Sequence, residues 1–300
     1  RAELRSLAPL ADGVDGWLAA GTVAAADGRR LLLLQGNERS TRELKAPADP
    51  AARLHHGPVL LSRDGRLAGI AWLEGGGERA LAVRAARWTG RGWAKATTVA
   101  PPGPGSQLAL TGTVLADGSW LLAWSGFDGS DDEIWWSRRL AAGTESADRA
   151  WSAPHRMGRD NTTPDITPTL TAAGDGALAA WSRYDGDSYR LRRARFSGGR
   201  WREETTAGPP SSLYPTFLSS FLNLEHPRLL FLNAAADRWD LEELDAAGRV
   251  RRKVTAARGA TSKERSRERP VVLADAEGVR FQWPTATASE TLETKAVWEP

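Results

Sequence analysis

The stretch Pro168–Trp181, with the sequence PTLTAAGDGALAAW, decides the fold because it holds two short apolar strands joined by a turn. The turn dipeptide Asp175-Gly176 supplies the positive φ angles that a tight hairpin requires. Similar stretches occur at Pro58–Trp72 and Leu110–Trp124. A repeat with a period of about fifty residues predicts an array of small sheets stacked on one another.

The residue that closes the second strand of each repeat gives its spacing. Successive gaps between these residues are 52, 57, 51 and 51, and the residues are Trp72, Trp124, Trp181, Leu232 and Trp283. A third strand and a more polar fourth strand follow, as in Leu81–Arg87 and Ala94–Val99. No helical period is sustained along the chain. Four antiparallel strands per repeat predict an all-β chain, a six-bladed β-propeller that forms one domain over residues 1–300.

The two ends of the chain deviate from the repeat. Only 23 residues separate Gln35 from Pro58, so the first blade is predicted to be shortened to three strands. The last blade lacks an outer strand, and we expect the N-terminal segment Ala2–Leu10 to supply it and close the ring. The predicted blades cover residues 11–50, 54–102, 107–157, 164–207, 212–255, and 268–300 with 2–10.

Composition excludes several classes of protein. Forty basic and 37 acidic residues are mixed along the chain, for a net charge of +3, which argues against a dedicated nucleic-acid binder. Cysteine is absent, so disulfides and thiolate metal sites are excluded. No apolar run reaches the roughly 18 residues of a membrane span. A chain that begins at Arg1 fits a mature product, so we expect an extracytoplasmic protein that is periplasmic, secreted or surface-associated.

The loops between second and third strands share one face of a propeller with the connections between blades. They are rich in carboxylates, and such loops fit either a Ca²⁺ site or solvated turns. No other cofactor is expected. Residues just before each first strand should line the central mouth, and aromatic residues on this face could stack on sugars. The candidate ligand-binding residues are His56, Asp128, Asp131, Asp132, Tyr184, Asp185, Asp187, Tyr214, Asp237, Trp239, Asp240 and Arg269. His55 and His56 are interpreted as solvated loop residues rather than metal ligands.

Two turns after third strands resemble eroded Asp-box hairpins of sialidase-like propellers, whose pattern is Ser-x-Asp-x-Gly-x-x-Trp. They are Thr89–Trp93 and Ser197–Trp201. The resemblance implies a bacterial six-bladed propeller and extends over the whole chain. The box Asp is absent, as are the Phe/Tyr-Arg-Ile-Pro motif, the arginine clamp and the Tyr/Glu nucleophile pair of the family enzymes. A catalytic sialidase is therefore not expected, and no catalytic residue is assigned.

Three functions remain open. The first is a non-catalytic propeller that binds a protein partner or forms a subunit of a larger assembly. The second is a carbohydrate-binding propeller that stacks sugars on Trp239 and Tyr184. The third is a glycoside hydrolase or lyase with a carboxylate pair at the central mouth.

Overall fold

The computed structural model describes most of the chain up to residue 204 and shorter segments after it. Every element within these residues is a β-strand. The described residues are 2–9, 16–37, 39–49, 51–64, 66–76, 81–105, 107–141, 151–204, 216–218, 228–233, 238–245, 249–258, 271–275, 278–283 and 292–296.

Twenty-three strands follow one another along the described chain, and they fall into six consecutive antiparallel units. The strands are β1 (Ala2–Pro9), β2 (Trp17–Ala25), β3 (Gly28–Gly36), β4 (Thr41–Leu44), β5 (Leu54–Arg63), β6 (Arg66–Gly75), β7 (Ala82–Arg87), β8 (Thr97–Ala100), β9 (Gln107–Val114), β10 (Trp120–Phe127), β11 (Asp132–Arg139), β12 (His155–Arg156), β13 (Asp165–Ala173), β14 (Gly176–Tyr184), β15 (Tyr189–Ser197), β16 (Arg200–Glu204), β17 (Thr216–Leu218), β18 (Arg228–Asn233), β19 (Arg238–Leu244), β20 (Val250–Arg258), β21 (Val271–Asp275), β22 (Gly278–Trp283) and β23 (Leu292–Ala296).

Each unit is a meander in which consecutive strands pair, so its strands lie side by side in chain order. The first two units are joined into one eight-stranded sheet by a single parallel pair, Arg29 with Leu54. Units three, four and five have four strands, and the described part of the last unit has three, β21–β23. The third strand predicted at Leu81–Arg87 is confirmed to within one residue, as β7 (Ala82–Arg87).

The N-terminal strand lies where the sequence did not place it. β1 pairs with β2 from Ala2 opposite Val23 to Pro9 opposite Trp17, with one register irregularity between Leu4 and Ser6. The expectation that this segment completes the last blade is therefore wrong, and the first unit has four strands instead of three. Pairing with the next strand along the chain closes a short loop, and this costs less conformational entropy than pairing with the far end of the chain.

The core lies between neighbouring sheets. Trp72, Trp124 and Trp181, at equivalent positions of three repeats, are each at most 1% exposed. Trp120 of the third unit reaches the second, where a Cβ at Gly69 would come within 2.3 Å of its ring. Large rings at repeat-equivalent positions thus pack sheet against sheet.

The first strands of successive units contact one another in the order β1, β5, β9, β13, β17. Three of them carry a register irregularity near their start, at a residue with positive φ. These residues are Gly57, Ala109 and Thr167, with φ of 50°, 49° and 52°. First strands that neighbour one another in chain order, with apolar layers between the sheets, are the arrangement of a β-propeller.

Candidate functional site

The candidate site lies at the end of units three and four where second strands turn into third strands. Three segments meet there, residues 127–133, 156–166 and 183–190, and we call them together the acidic end. They contain eight carboxylates and four arginines, a formal charge of −4. The hairpin of unit three closes through Phe127 opposite Asp132, and that of unit four through Tyr184 opposite Tyr189.

Asp128 organises the first segment. Its Oδ1 accepts hydrogen bonds from the backbone N–H groups of Ser130 and Asp131, at 2.8 and 3.2 Å. Its Oδ2 accepts from Arg156 at 2.8 Å. The two backbone hydrogen bonds and then the Arg156 charge lower the pKa of Asp128. The Arg156 guanidinium also lies 5.5 Å from the ring centre of Trp135 and forms an ion pair with Asp160.

Glu133 and Asp165 form a buried pair beneath the connection between units three and four. Both are 1% exposed. Asn161 of that connection donates to Glu133 Oε1 from its backbone N–H at 3.2 Å and from its side chain at 3.0 Å. Its side-chain amide also lies 3.4 Å from Asp165 Oδ2. Burial, followed by the charge of Asp165, raises the pKa of Glu133 to about 7.

Arg183 compensates Asp165, which lies directly opposite it in the β13–β14 ladder. Its guanidinium donates two hydrogen bonds to the carboxylate, at 2.7 and 2.6 Å. Such a two-point pair fixes both orientation and charge. Arg183 therefore holds the start of β13 against the end of β14, and this carboxylate has a structural role.

Asp131 lacks such compensation. It is 8% exposed, and among the described residues neither of its carboxylate oxygens has a hydrogen-bond partner. Burial and the charges of Asp128, Asp165, Asp160 and Asp132 raise its pKa. A buried carboxyl group with four carboxylates around it concentrates negative potential at this end of the sheets.

The turn after β14 is a self-contained polar loop. Asp185 Oδ1 accepts from the backbone N–H groups of Asp187 and Ser188, at 3.1 and 2.8 Å. Arg190 donates to Asp185 Oδ2 at 2.6 Å, and this bond is the main cause of a pKa near 2 for Asp185. The Tyr184 hydroxyl donates to the Gly186 carbonyl at 2.9 Å, and its ring centre is 5.4 Å from that of Tyr189.

The corresponding end of unit two has a different chemistry. His55, expected in a solvated loop, lies in β5 and is 3% exposed, so that interpretation is wrong. Its Nδ1 is 2.9 Å from the Arg29 carbonyl oxygen, and its Nε2 is 3.4 Å from Glu74 Oε2. Burial lowers the pKa of His55, but the bonds to Glu74 and Arg29 and nearby carboxylate charges outweigh it, and the pKa is raised. His56, its partly exposed neighbour, precedes the positive-φ residue Gly57.

Glu74 ties the first unit to the second. Its Oε2 accepts from the Trp72 indole at 2.9 Å and from the Asp49 backbone N–H at 3.0 Å, and its Oε1 is 3.2 Å from Arg84 Nε. Burial raises the pKa of Glu74, but its hydrogen bonds and the Arg84 charge outweigh this, and the pKa is lowered. The His55–Glu74 network is therefore a structural connection.

The remaining candidate ligand-binding residues lie either inside a strand or outside the described residues. Asp240, expected in a loop, lies inside β19 with no exposed surface, in ion pairs with Arg238 at 2.8 Å and Lys253 at 3.1 Å. Trp239 belongs to β19, but its side chain is outside the described residues, as are Tyr214, Asp237 and Arg269. The structure thus brings together Asp128, Asp131, Asp132, Tyr184, Asp185 and Asp187 at the acidic end.

Sequence reasoning missed the basic and amide partners of these carboxylates. Arg156, Arg183 and Asn161 compensate or bridge them. The signal that could have found Arg183 is the repeat itself, because residues two after the marker Trp lie opposite the start of the first strand. Within the described residues, no three His, Asp or Glu side chains are placed to share a metal ion. That part of the chain also has no helix long and apolar enough to cross a membrane.

No protein-family model matches the chain, and no curated protein is similar to it in sequence. Solved structures are similar in fold. The α-L-arabinofuranosidase of Fusarium graminearum is 11% identical over 93% of this chain and 87% of that chain, with a TM-score of 0.58. The propeller domain of the trilobed protease of Pyrococcus furiosus, with its open velcro topology, is 10% identical over 98% and 85%, with a TM-score of 0.53.

A third similar structure is the acylaminoacyl peptidase of Pyrococcus horikoshii, at 10% identity and a TM-score of 0.52. The alignment covers 94% of this chain and 43% of the peptidase. The chain thus spans less than half of that enzyme. At these identities the likeness concerns the fold alone, and with the sheet order described above it establishes that this chain is an all-β propeller built from antiparallel units.

Proposed function

We propose that the protein is a non-catalytic, extracytoplasmic propeller that binds a protein partner through its acidic end. The observation that carries the proposal is the position of Glu133. Its pKa near 7 is typical of a general acid, yet it is 1% exposed and bonded by Asn161. A group in that position stabilises a loop and has no access to a substrate.

The other carboxylates of the acidic end support the same proposal. Asp128, Asp165 and Asp185 are each bonded to arginine and to backbone or amide groups of their own loops. These bonds give a rigid surface, and residues that are fixed before binding lose little entropy on association. A hydrolase with a carboxylate pair at the mouth is not favoured, because the paired carboxylates Glu133 and Asp165 are buried.

Carbohydrate binding is the second candidate. Tyr184 and Tyr189 form a partly exposed aromatic pair beside the exposed Asp187, and sugars stack on such rings. A glycan array probed with the wild-type chain and with Tyr189→Ala separates this candidate from the first. If the wild type binds a glycan specifically and Tyr189→Ala does not, the protein binds carbohydrate through this aromatic pair and the protein-partner proposal is replaced.

The test of the leading proposal is affinity purification from the native source with the wild-type chain and with Asp132→Asn/Asp160→Asn/Asp187→Asn. A partner that copurifies in a fixed ratio with the wild type, and is reduced with the variant, supports the proposal. Recovery of the chain alone and monomeric would overturn it. Fractionation of source cells tests the location, which stays a prediction of the sequence.

A finer description of the fold belongs to the same proposal. Six units closed into a ring would place the acidic end beside a central mouth, and the resemblance to sialidase-like propellers supports that arrangement. The pairing of β1 with β2 means that closure would rest on packing between the first and last units, without a shared sheet.

A further inference from the structure

The acidic end differs in net charge from the rest of the chain. The acidic end carries a formal charge of −4, while the whole chain carries +3, so the remaining residues carry +7. Five carboxylates of the acidic end are at least partly exposed: Asp128, Asp132, Asp160, Asp185 and Asp187. The Asp160 side chain is 69% exposed. A surface with one sign of charge on a protein of the other sign selects and orients oppositely charged partners.

A second observation is independent of the number of acidic residues. Asp131 precedes Asp132 in the same loop and is only 8% exposed, and both its carboxylate oxygens lack a hydrogen-bond partner within the described chain. The negative charges that act on Asp131 are those of Asp128, Asp132, Asp160 and Asp165. A buried charge without a counter-ion is costly, and a cation placed above it lowers that cost.

Apolar surface lies next to the carboxylates. Phe127 is 37% exposed and Leu108 is 47% exposed, and Phe127 immediately precedes Asp128. Aliphatic stems of lysine and arginine side chains cover such surface while their charged heads reach carboxylates. Aromatic rings also attract guanidinium groups, and Arg156 already lies over Trp135 in this way.

We propose that the acidic end binds a lysine- or arginine-rich segment of a partner protein, with Asp132, Asp160 and Asp187 contacting its cationic heads. The inference rests on the proposed function and adds the chemistry of the partner. A shared metal ion is a poorer occupant, because the described residues do not place three carboxylate or imidazole ligands around one point. A flexible polypeptide adapts to carboxylates that are spread over three loops.

The experiment measures fluorescence anisotropy of a labelled oligo-arginine peptide at about 0.15 M salt, where long-range attraction is screened. The test variant is Asp132→Asn/Asp160→Asn/Asp187→Asn. The matched control is Asp27→Asn/Asp64→Asn/Asp175→Asn, which removes three exposed carboxylates from the hairpin turns at the opposite end. Both variants lose the same charge, so non-specific attraction falls equally in the two.

We expect the test variant to raise the Kd of the peptide about tenfold and the control variant to change it less than about twofold. Three ion pairs of modest individual strength account for a tenfold change. Binding should also weaken from pH 8 to pH 6, because Glu133 takes up a proton; it faces Asp131, Asp165, Arg156 and Asn161. An oligo-glutamate peptide should not bind. Equal effects of the two variants, or no binding of oligo-arginine, would overturn the inference.

Competition by Ca²⁺ is a separate test of the occupant. If about 1 mM Ca²⁺ displaces the peptide where an equal ionic strength of NaCl does not, the end is a divalent-cation site and the inference fails. The two proposals also fail differently. A partner recovered by affinity purification without peptide binding retains the proposed function and removes this inference, whereas peptide binding without any recovered partner removes the proposed function.

Discussion

Glu133 and Asp165 share one hydrogen-bonding partner, the side-chain amide of Asn161, at 3.0 and 3.4 Å. The amide belongs to the connection between units three and four, so the ionisation of two buried carboxyl groups is coupled to the position of that connection. Arg183 bonds Asp165, whereas within the described residues no arginine is hydrogen-bonded to Glu133, so the proton affinity of Glu133 determines how the pair responds to pH.

Replacing Glu133 with Gln should remove much of that pH response. The pKa of Glu133 is about 7 in the folded protein against an ordinary 4.5, so the folded state binds its proton more tightly. Stability from this group is therefore fully present below about pH 4.5 and is lost as pH rises to about 7. Glu133→Gln keeps the acceptor for Asn161 and should stabilise the protein at pH 8 by about 1–3 kcal/mol.

Urea unfolding from pH 5 to pH 8 measures this difference. The wild type should lose stability over the interval, and Glu133→Gln should lose less. Asp187→Asn, at an exposed carboxylate of the same end, should leave the wild-type slope unchanged. Parallel curves for wild type and Glu133→Gln would contradict the prediction.

His55 should make stability pH-dependent in a different range. Its pKa is raised above 6.5 in the folded state, so its contribution is fully present below about pH 6.5 and is lost as pH rises through the folded value. His55→Gln should therefore destabilise the protein more at pH 6 than at pH 9, measured by thermal unfolding. The partly exposed His56, replaced by Gln, provides the control. A pH-independent loss in His55→Gln would indicate packing in place of charge.

The repeat predicted the propeller and the positions of its hairpins. Those features depend on local alternation and on spacing, which a single sequence displays directly. In unit four, however, the positive φ lies at Gly174 rather than at the predicted Asp175-Gly176, because Gly176 is already paired with Ala173. The partner of β1 depends on which of two sheet edges it reaches. Local alternation is the same in both cases, and for that reason the closing strand was predicted wrongly.

The candidate site was predictable only in part for a similar reason. Asp128 and Asp185 stand in Gly-containing turns, and their loops were identified from that context. The compensation of Asp128 by Arg156 depends on how the chain between β11 and β12, residues 140–154, returns to the sheet. His55 was interpreted as solvated because its buried acceptor, Glu74, is nineteen residues away and becomes adjacent only through strand register.

Removing Arg183 should expose the cost of the buried charge that it compensates. Arg183→Gln leaves Asp165 buried without its two hydrogen bonds and should destabilise the protein by about 3–5 kcal/mol. Arg183→Gln/Asp165→Asn should recover a large part of this loss, because no uncompensated charge remains. Denaturant unfolding of the wild type, Arg183→Gln, Asp165→Asn and the double variant gives the coupling energy between positions 183 and 165.

The matched control for Arg183 is Arg190→Gln, which breaks a bond to the more exposed Asp185. Solvent screens a pair in that environment, so Arg190→Gln should cost much less stability than Arg183→Gln. If Arg183→Gln and Arg190→Gln cost the same, the buried pair has no special role in holding the start of β13.

Thr167 should be a site where a smaller residue stabilises the fold. It adopts φ of 52°, which is costly for a β-branched residue, and its Oγ1 is buried without a hydrogen-bond partner among the described residues. The equivalent position of unit two is Gly57. Thr167→Gly removes both the steric conflict and the unbonded hydroxyl, and these gains should exceed the loss of backbone entropy, for a net stabilisation of about 1 kcal/mol.

Thr169→Gly, two residues further along β13 and outside the positive-φ region, has neither benefit and should destabilise by about 1 kcal/mol. Opposite signs in denaturant unfolding would show that the bulge of β13 stores strain, and a loss of stability in both variants would show that it does not.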